Sequence, residues 1–402
     1  MNNGKLPIIA FEYAPWFSSW SGRQHILSRL GKRGWPVVYS NGAKFYNEIN
    51  LGSPWGRLQS TDHIQVYQPG SFPPRNYRFR SLDRAAISVH CRHIKKNLGL
   101  RKGDPFIAFC FHPAFYPYIE ELNAPYTMFH IFDVYRLIGN TGAGGSNVKK
   151  LIDRSDLVTA ASETMWTETV EDKRLTAKYV YNGVDTSAFQ EKNFIKGAVY
   201  DAISKLGGPK VGYLGAINCK LDFTVFDHLA GAFPDTRFVI LGAKKQVELI
   251  QEDAQNWAAY LSFFNRPNVH YMGTIDRTEI PGCLDLMDAT LAPYKMDKST
   301  WAFAAFPLKI NEYLAAGKPV ISSYTTTIEQ HFGSAVAMCR EPAEWQHALA
   351  DALAGRAVGT EESRRLIARE NDWEKRVDKL EYFMFAMLAD KNRFSQWTAP
   401  QP

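Results

Sequence analysis

The chain has 402 residues, 45% of them hydrophobic, and a formal net charge of +6, enough apolar material for a large core and for two domains. It has no apolar run near the roughly 18 residues of a membrane span, no charged-then-apolar leader in its opening "MNNGKLPIIAFEYAPW", and five scattered cysteines (Cys91, Cys110, Cys219, Cys283, Cys339). These features predict a cytoplasmic protein in a reducing compartment, with neither a disulfide framework nor a Cys-type zinc site.

Strand and helix patterns alternate along the chain, which predicts parallel sheets covered on both faces, an α/β fold. "LPIIAFEY" (6–13) reads as the first strand. A polar, tryptophan-bearing loop, the helix "RQHILSRLGKRG" and the strand "PVVYS" follow. Basic residues then crowd between Arg75 and Lys102, in "RNYRFRSLDR" and "HCRHIKKNLGLRKGD". Residues 1–185 hold 23 Lys and Arg against 15 Asp and Glu, whereas the remainder holds 24 against 26. The cluster is either a solvated face or an attraction to an anionic bilayer or a phosphate-bearing acceptor. No nucleic-acid-binding motif accompanies it, so no nucleic-acid partner is expected.

"PFIAFCF" (105–111), "TMFHIF" (127–132) and "DLVTAA" (156–161) have the length and composition of buried strands. "AKYVYNGVD" reads as another strand, ending in Asn182-Gly183, a pair suited to a tight turn. A second series then opens with "KVGYLGA" (210–216) and continues through "RFVILGA" (237–243), "VHYMG" (269–273), "DATLAPY" (288–294) and "PVISS" (319–323). Two doubly wound domains are expected, 1–185 and 186–375. The helical stretch "WEKRVDKLEYFMFAMLADKNRF" (373–394) leads residues 376–402 back onto the first.

In open parallel sheets, ligands bind beyond the carboxyl ends of the strands. "YTMFHIFDVY" delivers Asp133 there and "FIAFCFHPAF" delivers His112. A carboxylate at such a place is a helix or turn cap or, partly desolvated, a general base. His112, followed by proline, reads more readily as structural. "VGYLGAINCKLDF" sets Gly212 and Gly215 about the end of its strand, where glycine allows a tight turn and close approach. "GNTGAGG" (139–145) lacks the G-x-G-x-x-G spacing and reads as a mobile loop, and no G-x-x-x-x-G-K-[ST] motif supports an ATPase.

"FPLKINEYLAAGKPVIS" (306–322) reads as a short helix, a turn and a strand, with Lys309 and Glu312 on one helical face. A cation in the first turn opposes the helix dipole by about 0.3–1 kcal/mol. Backbone N–H groups and the Lys309 ammonium together suit a diphosphate, and the Glu312 carboxylate suits a vicinal diol such as a ribose. An exposed i,i+3 ion pair accounts equally well for the spacing.

The block "NVHYMGTIDRTEIPGCLDLMDATLAPYKMDKSTWAFAAFPLKINEYLAAGKPVIS" resembles the donor-binding half of GT-B glycosyltransferases. It is most similar to bacterial enzymes that build surface polysaccharides, of the teichuronic-acid and xanthan-glucuronosyl type, with a GT4-like donor domain. Their pattern P-x-K-x-x-E/Q-Y, then G-x-P, is matched by Pro307, Lys309, Glu312, Tyr313, Gly317 and Pro319. The resemblance implies two Rossmann-like domains facing a central cleft, 1–185 for the acceptor and 186–375 for the nucleotide sugar. It implies that Lys309 meets the diphosphate and Glu312 the ribose, with Leu308, Tyr294 and the Gly215-Ala216-Ile217 turn beside the donor. "WSGRQHILSRLGKRGWPVVYS" places Arg23 and His25, with His112, on the acceptor side, and "FHIFDVYRLIGN" matches the segment that supplies a base, here Asp133.

Two departures bear on mechanism: Ala304 stands where many retaining members have a second glutamate, and Ala216 where they have arginine. Inversion with Asp133 as base is therefore expected. No D-x-D occurs, so no metal or other cofactor is expected. The resemblance implies a UDP-sugar donor and a glycan or lipid-linked acceptor at the anionic inner face of the membrane. A sugar-nucleotide epimerase on the same architecture, needing no acceptor, and a non-catalytic partner subunit are the alternatives.

Overall fold

Short, mainly apolar and mainly buried runs form most of the strands of two sheets. The computed structural model describes residues 4–18, 20–49, 54–61, 63–76, 78–135, 144–190, 194–245, 247–296 and 306–390. The chain divides into two units, Met1–Tyr181 with Glu374–Pro402, and Asn182–Trp373.

The strands of the first unit are β1 (Ile8–Phe11), β2 (Val37–Ser40), β3 (Arg57–Thr61), β4 (Ile64–Gln68), β5 (Ile107–Cys110), β6 (Tyr126–Ile131) and β7 (Leu157–Ala160). They lie in the order β3-β4-β2-β1-β5-β6-β7, parallel except for the β3–β4 pair. Its helices begin with α1 (Gly22–Lys32), α2 (Arg80–Asn97), α3 (Tyr116–Leu122), α4 (Gly144–Arg154) and α5 (Glu163–Thr169). Strand order reverses between β1 and β5, so the carboxyl ends of those strands flank a crevice suited to a ligand.

The expected strand in "AKYVYNGVD" does not form. Tyr179 makes one isolated bridge to Ala160, and the chain then leaves the sheet. Asn182-Gly183 forms no tight turn either. The Asn182 side chain donates to the carbonyl of Phe306 (2.8 Å), and the next residue, Val184, donates to that of Asn371 (3.0 Å).

The second unit runs α6 (Ala198–Ser204), β8 (Lys210–Leu214), α7 (Phe223–Ala232), β9 (Arg237–Leu241), α8 (Ala254–Phe264), β10 (Val269–Gly273) and α9 (Ile280–Asp285). It continues with β11 (Ala289–Ala292), α10 (Leu308–Ala315), β12 (Val320–Ser323), α11 (Thr326–Phe332), β13 (Val336–Cys339), α12 (Pro342–Leu353) and α13 (Glu361–Glu370). The sheet is parallel throughout, in the order β10-β9-β8-β11-β12-β13. Phe226, Phe238, Phe263, Leu291 and Trp345 belong to one continuous core cluster there. Order reverses between β8 and β11, again a switch point.

The last helix, α14 (Trp373–Asp390), completes the first unit. Arg33, at the end of α1, bonds Asp378 (2.6 Å), Glu381 (2.6 Å) and Glu374 (2.7 Å), and the Trp35 indole donates to Glu381 (2.6 Å). The units therefore change over at Asn182 and Glu374, a few residues from the 186 and 376 expected. Among the described residues, no helix is long and apolar enough to cross a membrane.

Candidate functional site

In the second unit the chain leaves β8 through Gly215, whose φ is +139° and whose N–H donates to Leu241 (2.8 Å). A Cβ at Gly215 would stand 3.0 Å from Lys309 Nζ, so glycine is what lets the lysine head approach the turn. Tyr213, at the penultimate position of β8, accepts a hydrogen bond from Lys309 Nζ (2.7 Å) and donates to the carbonyl of Ala216 (2.9 Å). Ile217 is fully buried, its N–H bonded to Ala243 (2.9 Å) and its carbonyl to the N–H of Lys245 (2.9 Å). Its backbone holds the turn in place.

Helix α10 is matched to its surroundings at one end and mismatched at the other. Its last carbonyls accept from two guanidinium groups of α13: Arg365 bonds Ala315 (2.7 Å) and Ala316 (3.1 Å), and Arg364 bonds Gly317 (2.8 Å). Cations belong at that negative end. At the positive end, Pro307 is the N-cap and has no side-chain acceptor. Part-exposed Leu308 opens the helix and Lys309 follows. The Lys309 ammonium lies 4.2 Å from the Tyr213 ring centre and 5.1 Å from that of Tyr294, a cation–π setting.

Burial lowers the Lys309 pKa to about 7, with Glu312 opposing that shift and Lys220 adding to it. Burial raises the Glu312 carboxyl to about 7, against the pull of Lys309 and Arg277. The exposed ion-pair reading of this spacing does not hold, because both residues are half-buried and Lys309 bonds Tyr213 instead. Tyr313 pins the helix: its hydroxyl accepts from the N–H of Leu214 (2.8 Å) and lies 3.3 Å from the carbonyl of Leu291. Tyr294, just beyond β11, is fixed by two bonds to Ser323 (2.8 Å each).

In the first unit, Glu12 emerges from β1 with 2% exposure. One carboxylate oxygen accepts from the N–H groups of Tyr13 (2.8 Å) and Ala14 (3.3 Å), and the other lies 3.1 Å from Arg23 Nε. Burial raises its pKa. Arg23 and the two N–H groups oppose that, and the like charge of Asp133 adds to it. The Arg23 guanidinium also rests over the Phe132 ring at 4.1 Å, next to Asp133 in the chain. Asp133, just past the end of β6, accepts from the N–H of Val134 (2.9 Å) and stays part-exposed. Arg23, Glu12 and Asp133 thus form one electrostatic cluster.

His112 Nδ1 accepts from the N–H of Ala114 (3.2 Å), capping a short turn, and burial lowers its pKa to about 4. His25 lies 3.2 Å from Arg29 and edge-on to Trp20. Ala304 and residues 139–143 of the glycine-rich run lie outside the described residues, and Gly144 and Gly145 open α4. Sequence reasoning missed Glu12 and Tyr213. A carboxylate directly after an apolar strand was the available signal for the first, and nothing local marked the second. Among the described residues, no group of three or more His, Cys, Asp or Glu is placed to hold a metal ion.

Residues 208–355 match the family described as Glycosyl transferases group 1, and the fold is that of the GT-B glycosyltransferases. The chain is 30% identical over 234 residues to the protein of Bacillus subtilis (strain 168) named teichuronic acid biosynthesis glycosyltransferase TuaH. That match covers 56% of this chain and 55% of TuaH, so the chain spans about half the length of that relative. Sucrose-phosphate synthase from Thermosynechococcus elongatus superimposes with a TM-score of 0.70 at 14% identity, covering 96% of this chain and all of that one. Anabaena HepE in complex with UDP and glucose gives 0.65 at 14% identity, covering 95% of this chain and all of HepE.

Proposed function

We propose that the protein is a glycosyltransferase that moves a sugar from a UDP-sugar to a glycan or lipid-linked acceptor in surface-polysaccharide biosynthesis. The observation that carries this reading is the seat of Lys309. It is a half-buried lysine at the positive end of α10, beside a glycine turn, with a pKa that desolvation lowers to about 7 despite the opposing charge of Glu312. A diphosphate supplies further negative charge, and Glu312 accepts from the ribose hydroxyls one turn deeper. The name of TuaH supports the class of product, and the UDP held by HepE supports the donor.

In the proposed reaction Asp133 takes the proton of an acceptor hydroxyl, and that oxygen attacks the anomeric carbon. The bond from that carbon to the diphosphate breaks with inversion, and UDP departs. Lys309 and the first N–H groups of α10 stabilise the charge growing on the leaving oxygen. They replace a divalent cation, so transfer proceeds without metal. The basic first half of the chain docks at the anionic inner leaflet, where a lipid-linked acceptor is available.

Calorimetric titration with UDP tests the donor site. Lys309→Met should weaken binding at least tenfold, since a charge-assisted hydrogen bond contributes roughly 1.5–3 kcal/mol. Asp133→Asn should keep UDP affinity and abolish sugar transfer. An unchanged Kd in the first variant rejects the donor site, and an active second variant rejects the base.

A further inference from the structure

Six large apolar side chains stand in solvent within one short part of the first unit: Tyr46, Ile49, Trp55, Phe72, Phe79 and Leu82, each 40–69% exposed. Single exposed hydrophobics are ordinary; a set gathered on one surface marks a contact with something else. Backbone hydrogen bonds hold these segments side by side. Tyr46 donates to the carbonyl of Arg75 (3.1 Å), Arg75 to that of Lys44 (2.7 Å), and Phe72 to that of Pro54 (3.2 Å), next to Trp55. The Arg75 guanidinium then forms a bidentate pair with Asp83 (2.9 Å twice) in the first turn of α2, which ties the amino end of that helix, with exposed Phe79 and Leu82, to these segments.

The charge of this surface is one-sided. Residues 44–84 contain six Lys and Arg against three Asp and Glu. Asp83 is engaged with Arg75, and the Glu48 carboxylate accepts from the N–H of Phe45 (2.7 Å). Arg57, Arg78, Arg80 and Arg84 are exposed among the aromatic rings. A protein interface also enriches aromatic residues and arginine, but it gathers its apolar residues in a core depleted of charge, whereas here exposed arginines stand between the rings along the chain. Aromatic rings interleaved with arginines match the headgroup layer of a bilayer, with rings at the interface and cations at lipid phosphates.

We propose that this surface is the membrane-docking face, with Trp55, Phe72 and Phe79 entering the headgroup layer of an anionic bilayer. The inference rests on the membrane part of the function proposed above and locates it at the amino end of α2. At the other end of that helix, Lys95 is tied to the carbonyl of Leu122 (3.0 Å) and lies 5.4 Å from the Phe106 ring centre.

Co-flotation of the full chain with phosphatidylglycerol–phosphatidylcholine vesicles, and with phosphatidylcholine alone, tests this. The wild type should bind the anionic vesicles. Combined Trp55→Ser, Phe72→Ser and Phe79→Ser should lower partitioning at least tenfold with no change in Tm or UDP affinity. Should that variant not fold, combined Arg78→Ser, Arg80→Ser and Arg84→Ser carries the same expectation. Binding that survives these changes but is lost with Lys96→Ser, Arg101→Ser and Lys102→Ser overturns the inference and leaves membrane docking intact. A wild type that binds no anionic vesicle overturns both. An aromatic variant that alters oligomeric state by light scattering, with partitioning unchanged, shows a contact between copies of this chain and also overturns the inference.

Discussion

Lys309 holds its proton weakly because burial removes water from the ammonium faster than Glu312 can compensate, which brings its pKa down to about 7. A bound diphosphate reverses that balance, so UDP binding above this pH takes up a proton. As pH rises past 7 the free protein loses the Lys309 charge, and UDP affinity should fall by less than about tenfold per pH unit, because Glu312 ionises over the same range and strengthens the ribose contact. Titrations at pH 7 to 9 in buffers of different ionisation enthalpy read both the loss and the proton uptake. Lys309→Arg should flatten the profile, since a guanidinium keeps its charge; a pH-independent wild type contradicts the assignment. This pair was legible in the sequence because a lysine in a helix's first turn conflicts with the dipole of that same helix. Tyr213, which seats the lysine, was not legible, because the two residues are 96 positions apart and only folding joins them.

At the scale of elements, α10 is held at three places: Lys309 against β8, Tyr313 between β8 and β11, and its last carbonyls under the arginines of α13. The Gly215 turn is the face against which the first of these is set. Gly215→Ala would place a methyl 3.0 Å from Lys309 Nζ on backbone that L side chains rarely adopt. It should cost about 1–3 kcal/mol of stability and lower UDP affinity along with it. Gly207→Ala, which meets nothing within 4 Å, should leave both unchanged; calorimetry and thermal melts compare the two. Most strands could be read beforehand because they are predominantly apolar, as parallel strands buried on both faces tend to be. The β3–β4 hairpin escaped because "RLQST" is a mostly exposed edge whose pairing carries no apolar run. "AKYVYNGVD" misled for the opposite reason. Its tyrosines and valines suit a strand, but after Val180 the chain has no neighbour left to pair with in that sheet.

At the scale of the whole molecule, every residue assigned to the donor comes from one uninterrupted stretch, Asn182–Trp373, with its own sheet and core. Expressed alone, residues 182–373 should fold cooperatively and bind UDP, as circular dichroism and calorimetry would show. A folded fragment that ignores UDP would mean the first unit is needed for donor binding. The division into two doubly wound domains was visible in the sequence because the strand series restarts at Lys210. The cluster of Glu12, Arg23 and Asp133 was only half visible, since Glu12 reads as one more acidic residue until Arg23 is seen beside it.

The placement of α14 has a consequence for synthesis. The groups it meets in the first unit, Arg33 and Trp35 among them, leave the ribosome some 340 residues before their partners Glu374, Asp378 and Glu381. Val377, Leu380 and Met384 of that helix are buried in the finished protein. A nascent chain can therefore close the unit 182–373 while the earlier unit still shows a bare seam, which is sealed only once α14 has been translated.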